Sequence, residues 1–254
     1  REDVVGLVAE GYKEVTLLGQ NVNAYGKDLS EVTSFSALLE DLNSINGLER
    51  IRFTTSHPRD MGPDLIKALA TLDKVCEHLH LPVQAGSSSL LKRMNRGYTR
   101  EYYLDLVKQV RKAIPGISLT TDLIVGFPGE TEQDFQETLS LVQEVGFDSA
   151  FTFIYSPREG TPAARMPDQI PEELKKERIY KLIELQNTIS EGHMRRLLGT
   201  NQELLVEGRS KDGLIGRTRP NRQVHFEGPD DLLGSLVTVE ITEASTWSLR
   251  GRIL

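Results

Sequence analysis

The stretch that decides the fold is LTTDLIV, Leu119–Val125, which is followed directly by the loop GFPGE, Gly126–Glu130. A short run of apolar and β-branched residues predicts a buried strand, and the glycines and the proline after it predict where that strand ends. The next four residues, TEQD from Thr131 to Asp134, predict the capping box that starts a helix. A strand, a glycine-rich loop and a helix in this order form one unit of an α/β protein with parallel strands.

Four other apolar runs repeat this unit along the first three-quarters of the chain, and helical patterns that begin near Ser34, Pro63 and Thr99 separate them. Such repeats imply parallel strands joined by right-handed crossovers. Because a closed barrel of this type has eight strands, five of them predict an α/β fold in the form of a partial, open TIM-like β/α barrel. The four runs are Val15–Leu18, Ile51–Thr54, His78–Leu81 and Ala150–Tyr155.

The pattern changes after a long helix that is predicted to begin at Pro171 and to end before Gly199, which suits the C′ position. Short runs of strand character separated by turn signals follow, and they predict a small all-β barrel of OB-like size. The chain is therefore expected to hold two domains, residues 1–198 and 199–254. The predicted strands of the second domain are Leu204–Glu207, Leu214–Thr218, Val224–Phe226, Leu236–Ile241 and Leu249–Leu254.

Composition excludes several classes of protein. The 254 residues carry a net charge of −7, and no run approaches the roughly 20 apolar residues of a membrane span. No secretory signal pattern is visible. The single cysteine, Cys76, excludes an internal disulfide framework and a cysteine-rich metal site within this chain, and it fits a reducing, cytoplasmic location. The chain begins with Arg1 instead of Met, so we expect it to be part of a longer protein.

Polar or glycine-rich loops follow all five predicted strands of the first domain. Ligands of parallel α/β proteins bind at the carboxyl ends of the strands. The loops therefore predict a site for a polar and fairly large ligand. They are Gly19–Asn21, residues 55–58, Pro82–Ser87, Gly126–Glu130 and Ser156–Gly160.

Six blocks in collinear order resemble the radical-SAM methylthiotransferases, and in particular the MiaB-type branch that acts on tRNA. The region from residue 199 onward resembles the TRAM domain, the RNA-binding β-barrel of these enzymes. The resemblance covers nearly the whole chain. The blocks are Leu17–Gly26, Arg52–Pro58, His80–Ser87, Met94–Arg100, Thr121–Thr131 and Tyr155–Ala164.

The resemblance implies a partial radical-SAM barrel followed by a TRAM domain, and a reaction in which S-adenosylmethionine (SAM) drives radical methylthiolation. The substrate it implies is carbon 2 of isopentenyl-adenosine next to the tRNA anticodon. It also implies two [4Fe-4S] clusters, an electron donor and a monomeric protein without membrane attachment. The family's CxxxCxxC motif is absent from this chain. We therefore expect no cluster to be ligated here, no catalytic or metal-binding residue within the chain, and no activity of the chain by itself.

Other interpretations stay open at this point. Related enzymes act on threonylcarbamoyl-adenosine in tRNA or on an aspartate of a ribosomal protein, and the segment Gln20–Asn23, QNVN, favours isopentenyl-adenosine over both. The chain could also be an RNA-binding fragment without catalysis. An unrelated barrel hydrolase or aldolase would need a lysine base or a His/Asp metal cluster at the strand ends, and the sequence shows neither.

The resemblance assigns SAM-binding roles to residues of the strand-end loops. The first loop would hold the methionine amino group, Ser56, Gln84 and Ser87 would contact the ribose or the carboxylate, and Gly126 would shape the adenine pocket. Arg96 would pair with the methionine carboxylate, and Arg158 with a carboxylate or a phosphate. The candidate residues are Gly19, Gln20, Asn21, Ser56, Gln84, Ser87, Arg96, Asp122, Gly126 and Arg158.

Each of these candidates also has a structural interpretation. The serines could be helix N-caps, the arginines could form surface salt bridges, and Asp122 is expected to be a buried acid that needs a partner. Glu130 could serve only to stabilise the start of a helix. His57 and His80 lack a second ligand at a suitable spacing, so they are expected to be structural.

Five cations lie within fourteen residues of the second domain against one acid, Asp212. Such a cluster can bind RNA phosphates even though the domain as a whole is not basic. A solvated basic face is the alternative. The predicted RNA-binding residues are Arg209, Lys211, Arg217, Arg219 and Arg222.

Overall fold

A computed structural model describes residues 1–27, 33–54, 56–211 and 213–254. Thr55 and Asp212, which belong to the sequence patterns above, lie outside the described residues. The helices are α1 Glu2–Ala9, α2 Phe35–Asn43, α3 Pro63–Thr71, α4 Ser88–Arg93, α5 Arg100–Ala113, α6 Glu132–Val145 and α7 Glu172–Arg195. The strands are β1 Glu14–Leu17, β2 Arg50–Phe53, β3 His78–His80, β4 Ser118–Val125, β5 Ser149–Ile154, β6 Asn201–Ser210, β7 Gly213–Thr218, β8 Gln223–Glu227, β9 Leu236–Ala244 and β10 Leu249–Ile253.

The first five strands form the predicted parallel sheet. β1 pairs with β2, and β4 lies between β3 and β5, all in parallel register. Ile51 joins the two groups, because it donates its N–H to the carbonyl of Lys74 at 2.7 Å and accepts the N–H of Cys76 at 3.0 Å. Within the described residues, all five predicted strands are confirmed to within one residue at each end. We call this sheet with helices α1–α7 the α/β module.

Side chains alternate across the sheet and separate a helix-covered face from a concave face. In β4, Leu119, Thr121, Leu123 and Val125 are buried, whereas Thr120, Asp122 and Ile124 are only half-buried. The buried set joins one apolar cluster with α2, α3, α5 and α6. The concave face carries polar side chains from every strand of the sheet, which leaves it available for a ligand.

Helix starts follow the caps that the sequence predicts. Ser34 and Thr99 accept backbone N–H bonds at the starts of α2 and α5. Thr131 and Asp134 form a reciprocal capping box at the start of α6. Because these caps satisfy N–H groups that a helix cannot satisfy internally, they fix where each strand-end loop stops.

Strands β6–β10 close into the predicted small barrel, in the order β10-β8-β7-β6-β9. All neighbouring pairs are antiparallel except β8 and β10. This β module has its own apolar cluster, which includes Leu204, Val224 and Ile241. The predicted boundary between residues 198 and 199 falls in the connection between α7 and β6.

The β module packs against the amino ends of the sheet strands. At the start of β2, Arg50 donates to the carbonyl of Arg217 at 2.7 Å, and Arg52 donates to the carbonyls of Thr218 and Arg219 at 2.8 and 2.7 Å. Arg50 is 1% exposed and Arg52 is 6% exposed. These contacts place the β module at the opposite end of the sheet from the loops that follow β2. No helix in the described ranges has the length and apolar character needed to cross a bilayer.

Candidate functional site

Side-chain hydrogen bonds hold the loops after β1 and β2 together at the carboxyl edge of the sheet. Asn21, in the loop after β1, donates to Asp60 at 2.6 Å, and the amide of Asn23 exchanges hydrogen bonds with the backbone of His57 at 2.9 and 3.0 Å. These bonds tie the loop after β1 to the loop after β2. Gly19 and Gln20 are exposed beside them.

The loop after β3 is held in a costly backbone conformation. Gln84 has φ +74°, in the left-handed region that non-glycine residues seldom adopt. Its N–H donates to the carbonyl of Asp122 at 2.9 Å, and its own carbonyl accepts the N–H of Ile124 at 2.8 Å. Strain of this kind is concentrated at functional sites. The half-buried Gln84 side chain is thereby placed beside β4 at the strand-end edge.

Two of the buried oxygen atoms that lack a hydrogen-bond partner among the described residues lie in the loops after β1 and β2. They are Oδ1 of Asn21 and Oγ of Ser56. An unsatisfied buried polar group costs about 1–3 kcal/mol, so such groups call for an explanation, such as a ligand. Both belong to the set that the sequence assigns to SAM.

Arg96 is a half-buried cation without a carboxylate partner in the described part of the chain. Its Nε donates to the hydroxyl of Tyr98 at 3.2 Å, and its guanidinium lies 5.8 Å from the centre of the same ring. Burial, together with the positive charge of Arg96, lowers the pKa of the nearby His57. Arg158 is exposed on the loop after β5, and the surface salt bridge considered for it does not form with any described residue.

Asp122 has the partner that the sequence analysis expects, but it is half-buried instead of buried. Its side chain is 26% exposed on the concave face, and Oδ1 lies 3.4 Å from Nε2 of His80. Nδ1 of His80 lies 2.9 Å from Oγ1 of Thr120, which in turn lies 3.3 Å from Nε2 of His78. Strand alternation explains the difference, because Asp122 lies on the half-open face of β4. His80 is therefore a partner of Asp122.

Ser87 and Gly126 make structural contacts within the chain. Ser87 is 1% exposed, caps α4 by accepting the N–H of Leu90, and donates its hydroxyl to Asp134. Gly126 has φ +73°, and a Cβ there would collide with the side chain of Lys175. Its N–H donates to Glu130 at 2.7 Å.

Glu130 does more than stabilise a helix start. It is 3% exposed and pairs with Arg178 of α7 at 2.8 Å. Sequence reasoning missed this pair because its members are 48 residues apart. The pair anchors the loop after β4 to the long helix.

Four of the five predicted RNA-binding cations are engaged in ion pairs. Arg209 pairs with Asp230 at 2.7 Å and Arg217 with Glu207 at 3.0 Å, both within the β module. The remaining two arginines cross to the α/β module: Arg219 pairs with Glu77 at 2.9 Å and Arg222 with Asp148 at 2.6 Å. Lys211 is exposed at the β6–β7 turn. The five cations therefore do not form one continuous basic surface.

The residues present do not fit an iron–sulfur cluster. A [4Fe-4S] cluster that leaves one iron open needs three thiolates, and this chain has only Cys76. Cys76 is 2% exposed, and burial raises the pKa of its thiol. No group of three potential metal ligands occurs among the described residues.

Sequence reasoning also missed a cavity of about 570 Å³ between the concave face of the sheet and the β module. Its lining comes from both modules, so no local pattern could reveal it. The residues that matter below are Arg52, His80 and Phe151 from the α/β module and Arg217, Asn221 and Trp247 from the β module.

Comparison with known proteins identifies the family to which the chain belongs. Residues 2–142 match the profile of the radical SAM superfamily, and residues 195–254 match that of the TRAM domain. The chain is 59% identical over 253 residues to the tRNA-2-methylthio-N(6)-dimethylallyladenosine synthase of Carboxydothermus hydrogenoformans, covering 98% of this chain and 58% of that protein. It is 58% identical over 256 residues to the protein of the same name from Moorella thermoacetica, covering 100% of this chain and again 58% of the relative.

A solved structure supports the fold. The archaeal Elp3 of Methanocaldococcus infernus with an N-terminal deletion superposes with a TM-score of 0.51 at 16% identity, covering 74% of this chain and 48% of that one. The chain spans less than two-thirds of the curated relatives described above. Proteins of the superfamily use SAM and iron–sulfur clusters. With its matching profile over more than half of its length and its partial parallel barrel, the chain belongs to the radical SAM superfamily and carries a C-terminal TRAM domain.

Proposed function

We propose that this chain is the part of a tRNA methylthiotransferase that positions SAM and tRNA, and that the whole protein modifies carbon 2 of isopentenyl-adenosine next to the anticodon. The observation that carries the proposal is the identity of 59% across the chain to a synthase of that name. The strand-end loops support it, because their polar donors and acceptors at the carboxyl edge suit a nucleoside sulfonium.

For SAM we propose roles for all the strand-end candidates that the sequence names, as direct contacts or through the shape of the loops. Asn21 and Ser56 contribute the buried oxygens that lack partners, Gln84 its amide, and Arg96 a cation for the methionine carboxylate. Asp122, oriented by His80, suits a ribose hydroxyl. When bound, SAM supplies both the radical chemistry and the methyl group. The remaining candidates are Gly19, Gln20, Ser87, Gly126 and Arg158, of which Ser87 and Gly126 would act mainly by shaping the loops.

The iron–sulfur chemistry is assigned to other parts of the protein. We propose two [4Fe-4S] clusters held by cysteines outside this chain, an electron donor, a cytoplasmic location and a monomeric enzyme. The single buried cysteine supports this division, since it leaves positioning of substrates as the work of these residues.

For RNA we propose that Arg209, Lys211 and Arg217, which lie on the β module, contact phosphates of the tRNA anticodon arm. Arg219 and Arg222 would contribute by holding the TRAM domain on the sheet, because their guanidinium groups pair with Glu77 and Asp148. Loss of a phosphate contact changes the salt dependence of RNA binding. Loss of a contact that only holds the TRAM domain on the sheet leaves that salt dependence unchanged.

The test is mass spectrometry of tRNA nucleosides from cells that lack the full-length gene, with and without rescue. We expect the methylthio group on isopentenyl-adenosine to disappear and to return on rescue. Loss of the mark on threonylcarbamoyl-adenosine instead would move the assignment to that subfamily. An intact set of tRNA marks with an altered ribosomal protein would move it to the aspartate-modifying enzymes. If rescue by a full-length gene without its cluster cysteines restored the mark, the radical mechanism would be refuted.

A further inference from the structure

The cavity between the sheet and the TRAM domain is polar, but its charges cancel. Three ion pairs line it: Arg52 with Glu14 at 2.8 Å, Arg217 with Glu207 at 3.0 Å, and Arg222 with Asp148 at 2.6 Å. Each guanidinium in the lining is thus neutralised by a carboxylate in the lining. A cavity of this kind suits an uncharged heterocycle with hydrogen-bonding edges better than it suits a phosphate.

Two exposed aromatic side chains line the same cavity from opposite modules. Phe151 of β5 is 60% exposed, and Trp247, in the turn between β9 and β10, is 61% exposed. Phe151 also makes an edge-to-face contact with His80, with the ring centres 6.0 Å apart. Aromatic side chains on a nucleic-acid-binding surface provide stacking platforms for unpaired bases.

The lining offers hydrogen-bonding groups beside these rings. Asn221 has φ +70° and places its amide between the two modules, 3.4 Å from Nε2 of His78. Burial, followed by the positive charge of Arg52, lowers the pKa of His78 to about 3, so that this imidazole is neutral at physiological pH. Neutral donors and acceptors such as an amide and an imidazole can form hydrogen bonds with the edges of bases.

The volume agrees with this type of occupant. About 570 Å³ lies within the 300–1,000 Å³ that is common for sites of small molecules and cofactors. A nucleoside that has left its stack is a ligand of this class.

We propose that the cavity takes an unpaired RNA base, stacked against Phe151 and Trp247, and that these two residues are the RNA-binding aromatics of the chain. The inference rests on the proposed function and adds to it the place where an anticodon-loop base enters. It also separates base binding in this charge-balanced cavity from the phosphate contacts proposed for Arg209 and Lys211, which do not line the cavity.

Trp247 is the only tryptophan of the chain, so its fluorescence reports on this cavity directly. The probe is a short RNA stem-loop with unpaired adenosines in its loop, titrated into the 254-residue chain. We expect the stem-loop to quench Trp247. A fully paired RNA duplex of the same length should leave the fluorescence unchanged, because it offers no free base.

Affinity measurements with variants complete the test. We expect Trp247→Ala and Phe151→Ala each to weaken stem-loop binding by at least about fivefold, since stacking of one base is worth roughly 1–3 kcal/mol. Trp247→Phe should bind within about twofold of wild type because it keeps a stacking ring. The matched control is Tyr180→Ala, since Tyr180 is 70% exposed on α7 and does not line the cavity.

The salt dependence of the affinity distinguishes base stacking from contacts with phosphates. The alanine variants should bind more weakly at every salt concentration while the slope of log affinity against log salt stays the same, because no phosphate contact is removed. Wild-type affinity of both alanine variants, or equal quenching by the duplex, would overturn the inference. Neither result would affect the methylthio mark in rescued cells, so failure of this inference and failure of the proposed function are distinguishable.

Discussion

Arg222 of the TRAM domain donates to Asp148 of the α/β module at 2.6 Å, and the two side chains are only 14% and 11% exposed. Asp148 also accepts the N–H of Leu119 at 2.9 Å through its other oxygen. The pair therefore connects the β7–β8 turn to the amino ends of β4 and β5. A cation predicted for RNA contact thus holds the two modules together.

Arg222→Gln should destabilise the chain by about 3 kcal/mol, because it leaves a mostly buried carboxylate without its cation. Urea denaturation measures the loss. The matched control is Arg209→Gln, because Arg209 pairs with Asp230 while both side chains are 64% exposed. We expect that change to cost less than about 1 kcal/mol. Equal effects of the two substitutions would refute the connecting role of Arg222.

Asp134 carries a second stability prediction. Burial opposes its ionisation, but hydrogen bonds from Ser87, Ser89 and Thr131 outweigh burial and lower its pKa from 3.8 to about 2. The ionised carboxylate therefore stabilises the fold above about pH 4, and that contribution is lost as the pH falls toward 2. A shift of this size corresponds to about 2 kcal/mol.

Asp134→Asn should consequently lower the free energy of unfolding by about 2 kcal/mol at neutral pH. The deficit relative to wild type should shrink as the pH falls from 4 toward 2. Urea denaturation across this range gives the measurement. Asp231→Asn is the control, since Asp231 is exposed and makes no side-chain hydrogen bond in the described part of the chain. A deficit that does not depend on pH would contradict the role of ionisation.

His78 affects the stability of the fold over a different pH range. Burial, with a further contribution from Arg52, lowers its pKa from 6.5 to about 3. Below about pH 6.5 the imidazole of His78 is protonated in the unfolded chain but stays neutral in the folded chain. The free energy of unfolding therefore decreases as the pH falls from 6.5 toward 3. The contribution of one such group reaches about 1.4 kcal/mol per pH unit.

His78→Gln should remove this part of the acid sensitivity. Although the variant loses packing at neutral pH, its stability should fall less steeply than that of wild type between pH 6.5 and 4. Thermal or urea unfolding at several pH values compares the two slopes. Identical slopes would show that His78 does not titrate on unfolding in this window.

The strands could be predicted from sequence because their patterns are local. Leu119–Val125 has the composition of a buried strand, and Thr131 with Asp134 identifies the next helix start without reference to the rest of the chain. The placement of all the strand-end loops at one edge of the sheet also follows from parallel topology alone.

Contacts between the modules could not be predicted in this way. Arg222 and Asp148 are 74 residues apart, and Arg52 reaches a carbonyl 167 residues away. The sequence shows five cations close together, but it does not show that their acidic partners come from other elements. The placement of Phe151 and Trp247 in the lining of one cavity likewise depends on how the two modules pack.

Arg96 provides the sharpest test of the strand-end site. It lacks a carboxylate partner among the described residues, whereas the nearby Arg93 pairs with Asp168 at 2.6 Å. Arg96→Gln should weaken SAM binding by about tenfold or more, since a hydrogen bond to a charged group is worth about 1.5–3 kcal/mol. Arg93→Gln should leave it unchanged. Equilibrium dialysis of labelled SAM against the longer protein measures both. Equal affinities of the two variants would remove Arg96 from the site, because a cation that binds the methionine carboxylate cannot be replaced by an amide without loss.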